Sequence, residues 1–367
     1  MSAVLSTTPD VLAEIRGPVG FITLNRPQAL NALSLGMVRA ITAQLLAWRD
    51  NPAVQAVAIR GVNKAGPFGG FCAGGDIRFF HQAALGGNPE LEDFFTEEYT
   101  LNHLVHGYPK PYIAFMDGIV MGGGMGISQG ASLRLVTERS KLAMPETNIG
   151  LFPDVGGGYF LSRCPGRVGE WLALTGEAIG AADALAFGLA DVFMPSRQLA
   201  AAWESLAGVD FSAPDALDTW IAAYAGNAGE PAIKARADID QYFALATVRD
   251  MARALEEASS DWAAHTLAIL RKRSPLMLHV VLAQVRRARA MTLADDLRME
   301  RDMVRHCFQL RPGTASETVE GIRALAVDKD HTPKWNPPRV EDVTPEMVAP
   351  FFTSPWPAHA HPLRGLS

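Results

Sequence analysis

The stretch MPETNIGLFPDVGGGYFL, from Met144 to Leu161, is the most informative part of this chain. It places two acids, Glu146 and Asp154, in a run that is largely apolar or glycine. Apolar surroundings penalise ionised carboxylates, so two acids in such a run need a reason. One interpretation is acid–base or nucleophilic chemistry. The other is local: Glu146 caps a turn, and Asp154 opens a helix at GGGYF.

Upstream lies the segment KPYIAFMDGIVMGGGMGISQG, from Lys110 to Gly130. Pro111 to Met116 is predicted to be a short buried strand, and a helix is predicted after the three glycines 122–124. A glycine run lets a ligand approach the backbone closely, and a helix N-terminus offers free N–H groups. These features suit half of an oxyanion hole, although a tight strand-to-helix packing joint explains them equally.

A second glycine cluster, PFGGFCAGGDIRFF from Pro67 to Phe80, follows the predicted strand Val54 to Arg60. Its N–H groups could supply the other half of the hole, with Ala73 as the best candidate. Asp76 is expected to end this turn and cap the next helix, which is a structural role.

Together these segments resemble the crotonase (enoyl-CoA hydratase/isomerase) superfamily, and within it most closely the 3-hydroxyisobutyryl-CoA hydrolase family. The resemblance covers most of the chain and includes three further segments: GFITLNRPQALNAL (20–33), LALTGEAIGAADALAFGLADVF (172–193) and EGIRALAVDKDHTPKW (320–335). The FPDVGGGYFL and DKDHTPKW strings are the specific ones. The C-terminal string is more typical of the hydrolases than of the hydratases.

The resemblance implies a set of site residues. The oxyanion donors would be the N–H groups of Ala73 and Gly123, and the catalytic acids would be Glu146 and Asp154. Glu98, within FFTEEYTLN, would contact the substrate, although a solvated helix acid beside Glu97 is the alternative. Further substrate-lining positions are Gly74, Gly75, Asp76 and Gly122.

One departure separates this chain from the hydratases. Those enzymes use two glutamates across the substrate; the second matches Glu146, whereas the first falls at Gly126, which has no side chain. The resemblance therefore implies hydrolysis of a short-chain 3-hydroxyacyl-CoA thioester, 3-hydroxyisobutyryl-CoA, to 3-hydroxyisobutyrate and coenzyme A in valine breakdown. Two alternatives are a hydratase or isomerase on the same fold and a non-catalytic acyl-CoA-binding or scaffold protein.

The chemistry is consistent with this implication. Charge collects on the carbonyl oxygen of an attacked thioester, where two preorganised N–H groups would stabilise it. Glu146 could attack directly and form a mixed anhydride, or it could deprotonate a water molecule. Asp154 could position that water or protonate the leaving thiolate if its pKa is raised. Coenzyme A is part of the substrate, and no separate cofactor is expected.

Other kinds of site are not indicated by the sequence. Cys72, Cys164 and Cys307 show no metal-binding or CxxC spacing and are predicted to be buried or incidental. His103 and His106 are spaced to share a helix face, but no metalloprotease pattern accompanies them, so no metal is expected. P-loop and dinucleotide fingerprints are absent.

Composition supports a soluble enzyme. The chain has 367 residues with 33 Lys and Arg against 39 Asp and Glu, a net charge of −6, which argues against nucleic-acid binding through broad charge. Arg26, Lys64 and Arg78 flank the glycine loops and are candidate contacts for the coenzyme phosphates, or else solvated surface charges. No stretch of about 20 apolar residues is present, so no membrane span is expected. The start, MSAVLSTTPDVLAEIRG, lacks signal and transit patterns, so we predict a cytoplasmic location, which the cysteine usage suits.

The predicted fold class is α/β, a crotonase-type spiral of repeated strand–strand–helix turns with a helical C-terminal region. A helix is predicted from about Ser34 to Arg49, and strands are predicted at VLAEIRG, GFITLN, VQAVAIRG, PYIAFMDG, SLRLVTE and ADVFM. We expect a spiral core with the acyl-CoA site over residues 1–195, a helical region over 196–330 and an extended, proline-rich tail over 331–367, with 208–217 as the linker. A homo-oligomer is possible.

Overall fold

A computed structural model of the chain describes residues 10–367. Residues 1–9 lie outside the described residues. They make up most of the N-terminal segment that the sequence analysis expected to lack signal and transit patterns. Within the described part, no helix combines the length and apolar character needed to cross a membrane.

The fold is mixed α/β, as the hydrophobic patterns predict. The strands are β1 (Val11–Arg16), β2 (Val19–Leu24), β3 (Ala56–Asn63), β4 (Gly66–Gly69), β5 (Tyr112–Met116), β6 (Ile119–Met121), β7 (Leu133–Val136), β8 (Lys141–Ala143) and β9 (Val192–Phe193). The helices of the N-terminal half are α1 (Leu35–Arg49), α2 (Ile77–Gly86), α3 (Glu90–His106), α4 (Gly123–Gln129), α5 (Gly157–Ser162), α6 (Val168–Thr175) and α7 (Ala181–Ala186). The C-terminal half contains α8 (Leu199–Ser205), α9 (Ala216–Tyr224), α10 (Arg236–Tyr242), α11 (Val248–Glu257), α12 (Asp261–Leu270), α13 (Pro275–Ala288), α14 (Leu293–Gln309), α15 (Glu317–Ile322) and α16 (Pro345–Val348).

The main sheet has the order β1-β2-β3-β5-β7-β9, with β4 paired to β3. β1 runs antiparallel to β2, while the pairs from β2 to β9 are parallel. β2 and β5 are almost completely buried, which explains why their sequences are apolar runs rather than alternating patterns. A separate two-stranded sheet pairs β6 with β8. The sequence analysis did not predict β4, β6 or β8, which are only three or four residues long.

Helix α1 shows why local signals predict some elements well. Ser34 stands just before it in extended backbone, and its hydroxyl accepts the N–H of Met37, which satisfies an orphan donor of the first turn. Met37, Ile41, Leu45 and Trp48 recur at helical spacing and are buried, as expected for a helix with one apolar face.

The chain divides into two compact units. The first consists of residues up to Gly75, Leu101–Leu142 and Ile179–Ala232; the second consists of Asp76–Thr100, Ala143–Ala178 and Ile233–Ser367. This division does not coincide with the boundary expected at residue 195. In the first unit, α8 and α9 place Trp203 and Trp220 in the same apolar cluster as Phe21 and Phe115 of the sheet. Burial of these aromatic side chains joins residues 199–224 to the strands that precede them.

The C-terminal tail belongs to the second unit and departs from a fully extended form. It contains α16 and three short 3-10 turns at Val340–Asp342, Ala349–Phe352 and Ala358–Ala360. Its buried side chains are Pro337, Val340, Val343, Phe351, His361 and Leu363. Proline limits long helices but begins short ones well, because it occupies a first-turn position without losing a hydrogen bond.

Candidate functional site

Three acids predicted for the site lie in the second unit and are buried there. Glu98 lies within α3 and is 2% exposed, whereas Glu146 and Asp154 are each 6% exposed. Glu146 begins a short 3-10 turn, Glu146–Ile149, and Asp154 lies in the turn that leads into α5. Burial of three carboxyl groups is unfavourable for folding, which is common where acids serve chemistry.

Asp154 is bonded to a tyrosine rather than to a helix end. The hydroxyl of Tyr99 donates to Oδ2 of Asp154 over 2.9 Å. Helix α5 starts at Gly157 without a capping side chain, so the expectation that Asp154 opens the helix holds only for its backbone carbonyl, which accepts the N–H of Gly157. Burial raises the pKa of Asp154 to about 7, against the lowering effect of the Tyr99 hydrogen bond.

Glu146 has an oxygen available for chemistry. Its Oε2 is buried and has no hydrogen-bond partner among residues 10–367. The residue before this turn, Pro145, provides no side-chain cap. Burial raises the pKa of Glu146 well above its ordinary value, and the charges of Asp154 and Glu98 raise it further.

Glu98 is not a solvated helix acid, and that alternative is therefore wrong. Its Oε1 is buried, and no group in the described part of the chain bonds to it. Burial raises its pKa well above the ordinary value, and the charge of Asp154 adds to this effect. Because each of the three carboxyls disfavours ionisation of the others, they do not all ionise near neutral pH, and the group can hold an acid and a base together.

The two glycine loops lie in the first unit. The backbone of Cys72 pairs with Val120 of β6: its N–H donates to Ile119 over 2.9 Å, and its carbonyl accepts from Met121 over 3.0 Å. Gly122 has φ 49° and ψ −121°, a conformation that only glycine adopts readily, and it leads into α4. A Cβ built on Gly74 would lie 3.7 Å from the amide nitrogen of Gly123, so the loops are in close contact.

The predicted role of Ala73 as an oxyanion donor is wrong. Its N–H donates to the carbonyl of Leu30 over 3.0 Å and is therefore already used. The N–H of Gly75 has no partner among the described residues, and neither has that of Gly123, the first residue of α4. The free donor pair consequently consists of Gly75 and Gly123. Sequence motifs could not separate Ala73 from Gly75, because the distinction depends on where Leu30 lies.

Asp76 has the structural role that its sequence position predicts. Its Oδ1 accepts the N–H of Phe79 over 3.3 Å and caps α2. Of the candidate coenzyme contacts, Lys64 and Arg78 are exposed, in the turn after β3 and at the start of α2. Arg26 is half-buried, and its guanidinium donates to the carbonyl of Ala32 over 2.9 Å.

The three cysteines are buried, as predicted, and none forms a disulfide among the described residues. The thiol of Cys72 donates to the carbonyl of Asn31 over 3.2 Å, which indicates a packing role beside the loop. In the described part of the chain, no cluster of His, Cys, Asp and Glu side chains could hold a metal ion.

Tyr99 is a site residue that the sequence analysis missed. It is fully buried, and its hydroxyl bonds to Asp154. Its position next to Glu98 was the available signal, but α3 alone does not reveal which side chains reach the turn of Asp154.

Comparison with known proteins gives consistent results. Residues 19–352 match the family model described as enoyl-CoA hydratase/isomerase. A probable 3-hydroxyisobutyryl-CoA hydrolase 3 of Arabidopsis thaliana is 38% identical, over 95% of this chain and 92% of its own length. A mitochondrial 3-hydroxyisobutyryl-CoA hydrolase of Bos taurus is also 38% identical, over 96% of this chain and 91% of its length.

Two solved structures are similar over nearly their whole length. A carnitinyl-CoA dehydratase from Mycobacterium thermoresistibile is 37% identical with a TM-score of 0.87, covering 95% of this chain and 98% of its own. An enoyl-CoA hydratase from Rhodobacter sphaeroides is 36% identical with a TM-score of 0.85, covering 94% and 98%. These likenesses confirm the predicted crotonase fold with its helical C-terminal region.

Proposed function

Because this chain belongs to the enoyl-CoA hydratase/isomerase family, in its 3-hydroxyisobutyryl-CoA hydrolase branch, we propose that it hydrolyses a short-chain 3-hydroxyacyl-CoA thioester. The substrate would be 3-hydroxyisobutyryl-CoA, and the products 3-hydroxyisobutyrate and coenzyme A, a step of valine breakdown. The observation that carries this proposal is the buried acid group in which Glu146 keeps an unpaired oxygen beside Asp154 and Glu98.

The proposed reaction begins with the thioester carbonyl bound by the N–H groups of Gly75 and Gly123. As a nucleophile adds to the carbonyl carbon, its oxygen becomes negative, and two fixed donors stabilise that charge. Loss of one such donor typically raises the barrier by about 3–4 kcal/mol. Side-chain substitution cannot remove an amide, so this step is tested through the geometry of α4 rather than by deletion.

Glu146 is the proposed source of the oxygen that attacks. If its carboxylate attacks directly, the C–S bond breaks, coenzyme A leaves as a thiolate, and a mixed anhydride remains until water hydrolyses it. If it acts as a base, it takes a proton from water, and the hydroxide adds instead. In both routes the protonated form of Asp154 can deliver a proton to the thiolate, because its raised pKa of about 7 leaves part of it neutral at physiological pH.

Hydration of an enoyl-CoA is the competing function, since the solved relatives bear the names of a dehydratase and a hydratase. The resemblance implies that this chemistry needs another glutamate besides Glu146, at position 126. Gly126 is buried in α4 and offers no acid there. We therefore favour hydrolysis.

A two-substrate assay separates the candidate functions. The protein is incubated with 3-hydroxyisobutyryl-CoA and a thiol reagent, while the absorbance of crotonyl-CoA is followed in parallel. Release of thiol without loss of the enoyl chromophore supports the hydrolase. Loss of the chromophore supports a hydratase, and binding of acyl-CoA without turnover of either substrate supports a scaffold role.

Glu146→Gln should abolish thiol release, because an amide can neither attack the thioester nor accept a proton from water. Binding of the acyl-CoA should stay within about threefold of the wild type, since the side chain keeps its shape. Single-turnover kinetics and calorimetric titration measure the two properties. Activity near the wild-type level would remove Glu146 from the mechanism.

Three further properties remain predictions. Arg26, Lys64 and Arg78 are candidate contacts of the coenzyme phosphates, and each can be tested by substitution with Ala and measurement of KM. Sedimentation will show whether the protein forms a homo-oligomer. A cytoplasmic location was predicted from the sequence, whereas the Bos taurus relative is named mitochondrial, so cell fractionation must decide between the two compartments.

A further inference from the structure

The turn that carries Asp154 has an unusual backbone. Val155 has φ 57° and Gly156 has φ 86°, so two consecutive residues are left-handed. For valine, whose side chain is branched at Cβ, this conformation costs on the order of 1–2 kcal/mol. Such a turn persists only where the surrounding structure holds it in place.

Glu300 of α14 holds this turn in place with two hydrogen bonds. Its Oε2 accepts the N–H of Gly156 over 2.7 Å, and its Oε1 accepts the N–H of Gly158 over 3.0 Å. The carboxyl group therefore grips the backbone on the C-terminal side of Asp154. It also replaces the missing side-chain cap of α5, whose own N-cap residue is a glycine.

Two neighbouring side chains complete this arrangement, which we call the turn cradle (Gln284, Asp296 and Glu300). Asp296 Oδ2 accepts the N–H of Tyr159 over 2.8 Å. Gln284 Nε2 donates to the carbonyl of Pro153 over 2.7 Å and to Glu300 Oε1 over 3.1 Å. The cradle thus contacts the backbone on both sides of Asp154.

The cradle is costly for stability. All three side chains are fully buried, and burial raises the pKa of Glu300 well above its ordinary value. Removing two carboxyl groups and an amide from water is unfavourable, and their hydrogen bonds to the backbone offset only part of that cost. The fit is also tight, since a Cβ on Gly158 would lie 2.4 Å from Oδ1 of Asp296. The unfavourable burial of these side chains suggests that the turn must be held in one conformation.

We propose that Glu300 is a positioning residue, which fixes the turn 153–158 so that the carboxyl of Asp154 stays bonded to Tyr99 and oriented for proton transfer. This role rests on the proposed hydrolysis, in which Asp154 handles the proton. The groups that act electrostatically on Asp154 are Tyr99, which bonds to it, the thiol of Cys307, and the carboxyls of Glu98, Glu146 and Glu300.

The main test is Glu300→Gln in the full-length protein. The substituted amide has one acceptor oxygen for two N–H donors, so the turn should loosen. We expect kcat to fall by about 10- to 100-fold, because misplacing a reacting group by about 1 Å costs this much, while KM changes by less than about threefold. In the plot of kcat against pH, one limb is set by the ionisation of Asp154. This limb should move by about half a pH unit or more.

The matched control is Glu170→Gln. Glu170 is equally buried, but its carboxyl accepts hydrogen bonds from Arg167 and Arg289, and among the described residues it makes no hydrogen bond to residues 153–159. It should lower stability without moving the limb. If it moves the limb as much as Glu300→Gln does, the effect is general destabilisation and the positioning role is overturned.

A measurement without turnover separates this inference from the proposed function. The carboxyl pKa of Asp154 is followed by carbon-13 NMR in the wild type and in Glu300→Gln. A changed pKa in a protein that releases no thiol supports the positioning role while overturning the hydrolase. If the wild type is active but Glu300→Gln changes neither the pKa of Asp154 nor the pH profile, only the positioning role is overturned. If Glu300→Gln fails to fold, Gln284→Met takes its place, because it removes the hydrogen bond to Pro153. The pKa of Asp154 and the pH profile of kcat then decide whether the positioning role stands.

Discussion

At the scale of single residues, the function depends on carboxyl groups that folding has deprived of water. Asp154 is one of these carboxyl groups, and burial raises its pKa from 3.8 to about 7. The folded protein keeps this proton between about pH 4 and 7, whereas the unfolded chain releases it. The free energy of unfolding therefore falls as the pH rises through that interval, and above it the loss caused by this group stays constant.

Asp154→Asn should remove this pH-dependent loss of stability. The amide oxygen still accepts the hydroxyl of Tyr99 but never ionises, so the variant should match the wild type near pH 4 and exceed its stability by on the order of 2–4 kcal/mol at pH 8. Denaturant titrations across this range measure the difference. The exposed Asp93→Asn serves as the control and should follow the wild type. A variant that is less stable than the wild type at pH 8 would contradict this explanation of the raised pKa.

Glu98 is expected to recognise the hydroxyl group of the substrate. Its buried and unpartnered Oε1 needs a donor, and a 3-hydroxyacyl group offers one. Glu98→Gln puts an NH2 donor in place of one carboxyl oxygen, so KM for 3-hydroxyisobutyryl-CoA should rise by about 10-fold, the effect of losing one ordinary hydrogen bond of about 1.4 kcal/mol. KM for isobutyryl-CoA, which lacks the hydroxyl, should change little.

The neighbouring substitution Glu97→Gln provides the comparison for Glu98. Glu97 precedes Glu98 in α3 but is only partly buried. It should leave both KM values as they are. Equal losses with the two substrates in Glu98→Gln would show that this acid supports the fold rather than the hydroxyl.

At the scale of elements, the position of α4 determines where its free N–H points. A Cβ on Gly124 would lie 2.3 Å from the carbonyl oxygen of Cys72, which belongs to the other glycine loop. Gly124→Ala should therefore push α4 away from that loop. We expect kcat to fall by about 100-fold and stability to fall by about 1–3 kcal/mol.

The same substitution in another helix should have the opposite effect on stability. Gly36 is exposed in α1, and the nearest atom to its added Cβ is the Ser34 hydroxyl at 3.8 Å. Gly36→Ala should stabilise the protein by about 0.5–1 kcal/mol through helix propensity and leave kcat unchanged. Thermal unfolding and thiol-release assays compare the pair; a wild-type kcat in Gly124→Ala would separate α4 from catalysis.

At the scale of the whole molecule, the C-terminal tail is part of the core of the second unit. Phe351 is 5% exposed and makes a T-shaped contact with His306 of α14, with 6.4 Å between ring centroids. The carbonyl of Thr353 pairs with the same histidine at 2.7 Å, and the carbonyl of Leu363 accepts a hydrogen bond from Arg298. The tail therefore covers the helix that carries Glu300.

Phe351→Ala should lower the free energy of unfolding by about 3–5 kcal/mol, the usual cost of emptying a buried aromatic site. Leu310→Ala, at the end of α14, is the control; Leu310 is 43% exposed, so its loss should cost well under 1 kcal/mol. Urea unfolding measures both variants. Similar values for the two would mean that the tail contributes little to the stability of this unit.

Much of this organisation followed from the sequence alone, because its signals are local. The apolar run Pro111 to Met116 corresponds to β5, and the predicted helix from Ser34 to Arg49 corresponds to α1 with Ser34 as its cap. Acids in an apolar run likewise marked Glu146 and Asp154. Strand pattern, helix period and capping act over a few residues and are therefore legible in the chain.

Only the tertiary structure decided which groups are available for chemistry. The N–H of Ala73 is used by Leu30, Glu98 is buried rather than solvated, and Glu300 binds Gly156 from 144 residues away along the chain. Hydrogen-bond pairing and burial depend on segments that are distant in sequence. Local patterns therefore select the residue types of this site, whereas packing determines which atoms remain unpaired and which carboxyls keep their protons.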